Sequence, residues 1–326
     1  MITGGCGFLG TALIRHLMEG PEDHAIRVVD NLSTGSIADL SVVTEYSKSK
    51  YDNLSYIPGL TEFVEGDVLD EDLAVKATRE TDVVIHFAAN TGVGPSVEDP
   101  RNDMITNVVG TFNYLEASRI QNVKKFIFAS SGAPAGEIEP PIHEEMPPHP
   151  VSPYGASKLA GEGYCSAYNR TFGIETVVLR FGNVYGPGSV HKNSVVAKFI
   201  RRALDGQVLE IFGDGSQTRD FIFIDDLINA VVIAASKQNI GGEIFQIASS
   251  RETTVSEISD ILEALLIERG TKDVAIIRGK IRTGDVMRNY SDTSKALNML
   301  GWKAKTDLRV GLTRTVDYFL EVIKET

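Results

Sequence analysis

The sequence predicts a doubly wound α/β protein, a parallel sheet covered by helices on both faces with a smaller, discontinuous α/β lobe. Three observations carry that expectation. Short apolar runs alternate with longer stretches of helical period, a glycine cluster opens the chain, and a carboxylate ends the second apolar run. Strands that are apolar along most of their length are buried on both faces, and the intervening helices supply the cover.

In chain order, the strand-like runs are Ile26 to Asp30, Glu62 to Glu65, Val83 to Phe87, Lys125 to Ala129 and Glu175 to Arg180. Helical patterns fall between them at Phe8 to Met18, Glu71 to Ala77, Arg101 to Gln121 and Tyr154 to Phe172. Only Met1, Ile2 and Thr3 precede the glycines, so the first strand is short or the natural N-terminus lies upstream. Residues 33–60 are polar and without a clear period, which reads as a loop with room for one short helix. After about residue 182 the pattern loosens into Gly- and Pro-bearing loops, and helices at Asn193 to Leu204 and Thr254 to Arg269 would build a second lobe. Phe221 to Ile224 and Ile244 to Ile247 read as strands returning to the main sheet. The expected division is therefore 1–181 with 221–248 for the sheet domain, and 182–220 with 249–326 for the lobe.

Composition bounds the function. The 326 residues are 42% hydrophobic and 23% charged, enough for one large core or a core plus a lobe. No run of eighteen apolar residues occurs, and the N-terminus has neither a basic start nor a small-residue cleavage site, which implies a cytoplasmic protein without membrane spans. A formal net charge of -12 argues against nucleic acid and anionic membrane surfaces but leaves room for a small anion held by local arginines. Cys6 and Cys165 are too few for a disulfide framework and read as free thiols. The six histidines show no ligand spacing, so no metal site is expected.

A glycine cluster alone is common at turns; its context here is specific. Gly4-Gly5-Cys6-Gly7-Phe8-Leu9-Gly10 precedes an amphipathic helix, and Asp30 stands twenty residues after Gly10 at the end of the second strand. Gly4 and Gly7 permit a tight turn and close approach of the backbone to a pyrophosphate, beside the positive end of the helix that carries Phe8, Leu9 and Gly10. Asp30 would accept hydrogen bonds from both adenosine ribose hydroxyls and would repel a 2′-phosphate. That is the Rossmann arrangement, with NAD rather than NADP as cofactor.

Tyr154 and Lys158 stand four apart in Ser152-Pro-Tyr-Gly-Ala-Ser-Lys-Leu-Ala-Gly and so share one helix face. An ammonium beside a phenol favours the phenolate, drawing the tyrosine pKa down toward working pH where it can serve as a general base for alcohol oxidation.

These motifs together resemble the extended short-chain dehydrogenase/reductases of the NAD-dependent epimerase/dehydratase group, most of all the nucleotide-sugar 4-epimerases. The resemblance covers nearly the whole chain and runs through Thr3 to Gly10, Asp30-Asn31-Leu32, Gly66-Asp67-Val68, His86-Phe-Ala-Ala89, Asn107-Val-Val-Gly-Thr111, Ser130-Ser131, Tyr154 to Lys158, Arg180 to Pro187 and Arg219 to Asp225. It implies that Ser131 hydrogen-bonds the sugar 4-hydroxyl, Tyr154 takes its proton, and Lys158 holds the nicotinamide ribose; Ser130 stays open as the nearer hydroxyl. It further implies that Asn31, Asp67, Val68, Phe87, Ala88, Ala89 and Asn107 line the cofactor. For the substrate, a nucleotide-diphosphate sugar that is UDP-linked by this resemblance, it implies Arg219 and Arg282 on the phosphates, Asp285 on the ribose, Asn183 on the diphosphate and Phe212 near the base. Guanidinium forks suit diphosphate oxygens. A homodimer through the helices at Arg101 to Gln121 and Tyr154 to Phe172 is also implied.

Departures from the family pattern narrow the chemistry. Dehydratases of the family carry an Asp-Glu pair after the catalytic hydroxyl, whereas this chain reads Ser131-Gly132-Ala133, and decarboxylases keep a glutamate at the Ala133 position. Pro134-Ala135-Gly136 replaces the usual Val-Tyr-Gly, removing an aromatic from the sugar pocket, and the small Asn289 leaves room for an N-acetyl group. The resemblance thus implies C4 epimerisation by transient oxidation, with dehydratase chemistry and a non-catalytic NAD-sensing protein as alternatives.

Overall fold

The computed structural model describes residues 1–50, 54, 57–271, 275–280 and 286–325 of the chain. Two compact units divide it: Met1–Gly136, Pro147–Arg180 and Ile228–Phe245 form the first; Glu137–Met146, Phe181–Leu227 and Gln246–Thr326 form the second.

The first unit is built on the predicted sheet. Its strands are β1 (Ile2–Thr3), β2 (Ile26–Asp30), β3 (Tyr46–Lys48), β4 (Thr61–Glu65), β5 (Val83–His86), β6 (Lys125–Ser131) and β7 (Glu175–Phe181), with Ile244–Ile247 as the eighth. Their spatial order is Ile244–Ile247, β7, β6, β5, β1, β2, β4, β3. The pairings β1 with β2 and β5, β2 with β4, β3 with β4 and β5 with β6 are parallel. From β1 the chain winds outward through β2 and β4, then crosses to β5 and β6 on the other side. That reversal beside β1 is a topological switch point, where open α/β sheets receive their ligands.

Every residue of β2 is buried, and β6 is buried but for its last residue, which is why these strands read as continuous apolar runs. Phe63, Val64, Val84, Phe126 and Phe128 contribute to the core, each burial stabilising by about 1.5–3 kcal/mol. The covering helices include α1 (Phe8–Glu19), α2 (Ile37–Val43), α3 (Glu71–Ala77), α4 (Val93–Glu98), α5 (Pro100–Met104), α6 (Gly110–Ile120) and α7 (Pro153–Phe172).

Three features differ from expectation. The loop at 33–60 does contain the short helix α2, but also β3, whose three residues extend the sheet edge. A three-residue strand lies below the length at which alternation is readable. The single helix expected at Arg101 to Gln121 is instead α5, a π-helical turn at Ile105–Val109, and α6. Such turns insert one residue into the hydrogen-bond ladder and recur at functional sites. Finally, Phe221–Phe223 does not return to the main sheet; it pairs in parallel with Asn183–Tyr185 inside the second unit, and the segment that does return is 228–245.

His86 closes β5 with no exposure. Its Nδ1 lies 2.8 Å from Thr3 Oγ1 and its Nε2 3.2 Å from Thr111 Oγ1, and its ring stacks on Phe126 and Phe128. Burial first, then the Lys158 charge, push its pKa down to about 3. The neutral ring is therefore the folded form, whereas the unfolded chain takes up a proton below its ordinary value near 6.5. Stability from this residue is full above pH 6.5 and is lost as pH falls toward 3, by up to about 1.4 kcal/mol per pH unit. His86→Gln is expected to flatten the fall of the melting temperature between pH 6 and 4; an unchanged pH slope would overturn this assignment.

Candidate active site

At the dinucleotide end, the loop before α1 is fixed by backbone packing. Gly4 has φ +67°, and a Cβ there would lie 2.7 Å from the Ala88 nitrogen; one on Gly10 would lie 2.4 Å from the Gly5 Cα. Side chains at either position would force the turn apart. The N-cap of α1 is Gly7, whose N–H closes the turn on the Gly4 carbonyl at 3.2 Å; with no side-chain cap and no acidic residue in the first turn, the positive end of the helix faces the space where an anion would sit.

Asp30 ends β2 with its carboxylate held by two backbone donors: Cys6 N–H reaches Oδ2 at 2.9 Å and Leu32 N–H reaches Oδ1 at 2.8 Å. Burial raises its pKa, while these two donors oppose the rise. Each oxygen keeps a further lone pair for a ribose hydroxyl. Asn31 Nδ2 donates to Asp67 Oδ2 at 2.8 Å, which ties the ends of β2 and β4 together. Val68 is buried, and its carbonyl accepts from Asn113 Nδ2 at 3.0 Å. Phe87, Ala88 and Ala89 follow β5, and Ala88 N–H donates to Thr3 Oγ1 at 3.3 Å. All these groups cluster after the carboxyl ends of β1, β2, β4 and β5 at the switch point. Buried ribose acceptor, glycine turn and uncapped helix together fit NAD.

The catalytic end is carried by α7. Ser152 caps it, accepting Gly155 N–H at 3.1 Å, Pro153 fills its first turn, and Gly173 ends it at φ 75°. On this helix Lys158 is buried, donates to the Ala129 carbonyl at 2.9 Å and lies 4.9 Å from the Phe128 ring centre. Its Nζ is 6.0 Å from the centre of the Tyr154 ring, so the predicted face-sharing holds. Ser131 lies close enough to the Tyr154 phenol to favour its ionised form, and Ser131 Oγ accepts Ala133 N–H at 3.2 Å. Ser130 turns away: its hydroxyl donates at 2.5 Å to Glu162, which forms a two-pronged pair with Arg180 at 2.8 and 2.6 Å. Ser131 is therefore the hydroxyl that faces Tyr154.

The electrostatics differ from the sequence expectation. Burial pushes the Tyr154 phenol up to about 12, with the Ser131 hydrogen bond opposing and the Asp103 charge adding to the rise. Lys158 is not among the groups that set the phenol's shift in this form. Lys158 is pulled down to about 8 by burial, with Asp103 foremost among the charges that hold it up.

Asn107 lies within the π-helical turn, fully enclosed. Its Nδ2 reaches the Asn90 carbonyl, Asp103 Oδ1 and Ser157 Oγ, each at 3.0 Å, and its Oδ1 accepts Asn90 N–H at 2.8 Å. Both ends of the amide are engaged by the protein, so Asn107 braces the loop after β5 against α7. Asp103 and the Glu162–Arg180 pair were not singled out from sequence. The spacing of Asp103 and Asn107, four apart on one helix face, was the available signal.

In the second unit, Arg219 Nη1 donates to the Thr218 and Val286 carbonyls at 2.6 and 2.7 Å. Asn183 is exposed and its N–H donates to the Asp220 carbonyl at 2.7 Å; Phe212 is half-buried beside Gly279 in the pairing of Leu209–Phe212 with Ile276–Gly279. Arg282 and Asp285 lie outside the described residues. Among the described residues, no group of three His, Cys, Asp or Glu side chains could hold a metal ion, and no helix is long and apolar enough to cross a membrane.

Known proteins share this architecture. The profile of the NAD dependent epimerase/dehydratase family matches residues 1–248. A Methanocaldococcus jannaschii protein is 40% identical over 324 residues, spanning 98% of this chain and 97% of its own. The crystal structure of a Thermotoga maritima UDP-glucose 4-epimerase with UDP-glucose superposes with a TM-score of 0.87 at 34% identity, covering 99% of this chain and 98% of that one. The Thermus thermophilus UDP-glucose 4-epimerase in complex with NAD gives 0.83 at 32% identity, over 98% of each chain. The Rossmann sheet, the dinucleotide cradle and these likenesses make this chain an NAD-dependent enzyme of the epimerase type, a member of the NAD-dependent epimerase/dehydratase family of extended short-chain dehydrogenase/reductases.

Proposed function

We propose that the chain is a nucleotide-sugar 4-epimerase that oxidises C4 of a UDP-hexose, allows the 4-keto sugar to turn, and reduces it on the other face. The observation that carries this reading is the joined Ser131–Tyr154–Lys158 group followed by Gly132 and Ala133, which offer no acid or base to any other carbon. The UDP-glucose 4-epimerases among the similar structures support the UDP-linked substrate.

Bound NAD supplies a reversible hydride acceptor. Ser131 would orient the 4-hydroxyl by hydrogen bond, and Tyr154 would take its proton and later return it. The high proton affinity of this half-buried phenol makes its ionised form a strong base, suited to an alcohol. Lys158, anchored on Ala129, would hold the nicotinamide ribose and stabilise the phenolate as it forms. Arg219, Asn183 and Phe212, with Arg282 and Asp285, remain our candidates for the nucleotide.

Because the cycle is redox-neutral, purified protein is expected to interconvert UDP-glucose and UDP-galactose, or N-acetylated or uronate forms, without added cofactor, and to release NAD only on denaturation. NMR profiling against UDP-, dTDP-, GDP- and CDP-sugars tests the substrate class. A requirement for stoichiometric external oxidant would overturn the epimerase reading.

A homodimer in the cytoplasm completes the proposal. Phe112, Tyr164 and Phe172 on α6 and α7 are exposed yet join through Tyr168 in an aromatic cluster, with Phe112 5.5 Å from Tyr164, and Ile120 on α6 is exposed as well. An apolar strip on paired helices suits burial against its own copy.

A further inference from the structure

The chemistry above leaves unexplained a buried acid beneath the catalytic pair. Asp103 is the last residue but one of α5, just before the π-helical turn, and has no exposure. Its Oδ1 accepts from Asn107 at 3.0 Å, while its Oδ2 is buried with no hydrogen-bond partner among the described residues. Burial raises the Asp103 pKa, while Ser157 and the Lys158 charge oppose the rise, so the ionised acid depends on a compensating charge nearby. Asn107 joins Asp103 to Ser157 on α7, one residue before Lys158, and the Ser157 hydroxyl donates to the Tyr154 carbonyl at 3.1 Å. These hydrogen bonds therefore tie the acid to the turn of α7 that carries both catalytic residues.

The surrounding charges single out Lys158 as its partner. From α7, Glu162, paired with Arg180 at 2.6 Å, and the buried Cys165 thiol also hold Lys158 up, each less than Asp103 does. From α6, Glu116 pairs with Arg119 at 2.6 Å; from α4 and α5, Glu98 and Arg101 are exposed. From β5, His86 is neutral. From β6, Lys125 caps the Ala234 carbonyl at 3.2 Å. Asp103 is thus the one uncompensated buried acid among these neighbours, and Lys158 the buried cation that lacks a salt bridge within the same group.

We propose that Asp103 is a positioning residue that supplies the counter-charge of Lys158, acting through the Asn107–Ser157 lattice to keep the lysine protonated and the Tyr154 phenol proton-retentive. The assignment rests on the epimerase reading only for its kinetic consequence. Its direction agrees with the shifts at both groups, since Asp103 raises Lys158 against the pull of burial and raises Tyr154 further. A phenol that must return its proton to the 4-keto sugar gains from that retention, and an ammonium that must stay charged gains from the buried acid.

Asp103→Asn keeps the shape and the acceptor for Asn107 but removes the charge. In the NAD-bound enzyme, both limbs of the bell-shaped pH profile of kcat/KM are expected to move toward acid by about one pH unit. A merely structural role would lower the rate at every pH and leave the limbs in place. In parallel, NMR of nitrogen-labelled lysine in the same holoenzyme, with Lys158 assigned by Lys158→Met, should show Lys158 losing its proton at lower pH in Asp103→Asn. That titration needs no turnover, so a wild-type enzyme inactive on UDP-sugars would sink the epimerase reading while leaving this one testable. If Asp103→Asn does not fold, carboxyl-labelled aspartate in wild type and Lys158→Met measures the reciprocal coupling, where Asp103 should bind its proton more tightly once the lysine is gone. Unmoved limbs together with an unmoved Lys158 titration, or an Asp103 titration indifferent to Lys158→Met, overturns the proposal.

Discussion

Tyr154→Phe is expected to lower kcat by on the order of 10²–10⁴-fold or more while NAD remains bound. The substitution removes one hydroxyl and keeps the ring, so the neighbours that fix α7, Ser152 at its cap and Ser157 on the Tyr154 carbonyl, are untouched. What is lost is the phenol beside Ser131 that would accept the proton and hand it back. Lys158 cannot substitute. Its Nζ is committed to the Ala129 carbonyl, and moving a proton from an alcohol to an ammonium that is already charged is not possible. Tyr154 is also expected at the nicotinamide end of the cofactor, but most of the groups that would hold the dinucleotide lie at the ends of β1, β2, β4 and β5 and are untouched, so NAD released on denaturation should match wild type in amount. KM should change far less than kcat, since the hydroxyl acts mainly in the transition state. Initial rates of sugar interconversion, with chromatography of the released cofactor, check both halves. Wild-type turnover would remove Tyr154 from the role of base, and loss of NAD would show that the phenol holds the cofactor as well.

Much of this site was legible in the sequence because its chemistry is local. Gly4 to Gly10, the Asp30 carboxylate and the Tyr154–Lys158 spacing each lie within one turn, one strand end or one helix face, where periodicity and residue type determine geometry. The desolvation of the phenol was not legible. Its high proton affinity arises from that desolvation with the Asp103 charge of α5 adding to it, while Ser131 on β6 opposes it, which is not the outcome the adjacent ammonium alone suggests. The same holds for Ser130 and Ser131, which are equivalent in sequence; strand alternation sends one to Glu162 and the other toward Tyr154. The expected return of Phe221 to Ile224 to the main sheet failed because three apolar residues state that a strand exists, not which edge it joins. Asp103 went unnoticed because a helix with acidic and apolar residues reads the same whether the acid faces water or the core; only packing against α7 distinguishes the two.

Glu162→Gln is expected to destabilise the first unit by about 3–5 kcal/mol, although the residue touches neither cofactor nor sugar in the proposed mechanism. Glu162 and Arg180 are each 3% exposed, and the carboxylate accepts three hydrogen bonds, two from the guanidinium and one from Ser130. Removing the charge leaves the Arg180 guanidinium buried without its counter-ion, and that desolvation penalty exceeds what the intact pair contributed over an apolar replacement. The two predictions therefore separate by design. A Glu162→Leu/Arg180→Met double substitution should recover most of the stability lost by either single change, because no charge is then stranded. Urea unfolding midpoints of the four proteins, followed by circular dichroism, measure the coupling. Additive losses would mean that the pair acts as two independent residues and not as one ionic unit. Position gives the pair a second consequence. It spans α7 and β7 while Ser130 sits one residue before Ser131 on β6, so loosening it lets the catalytic serine drift from the phenol. Activity in Glu162→Gln should consequently fall more steeply with temperature than in wild type, below the temperature at which the protein unfolds, whereas Tyr154→Phe should be inactive throughout and melt as wild type does.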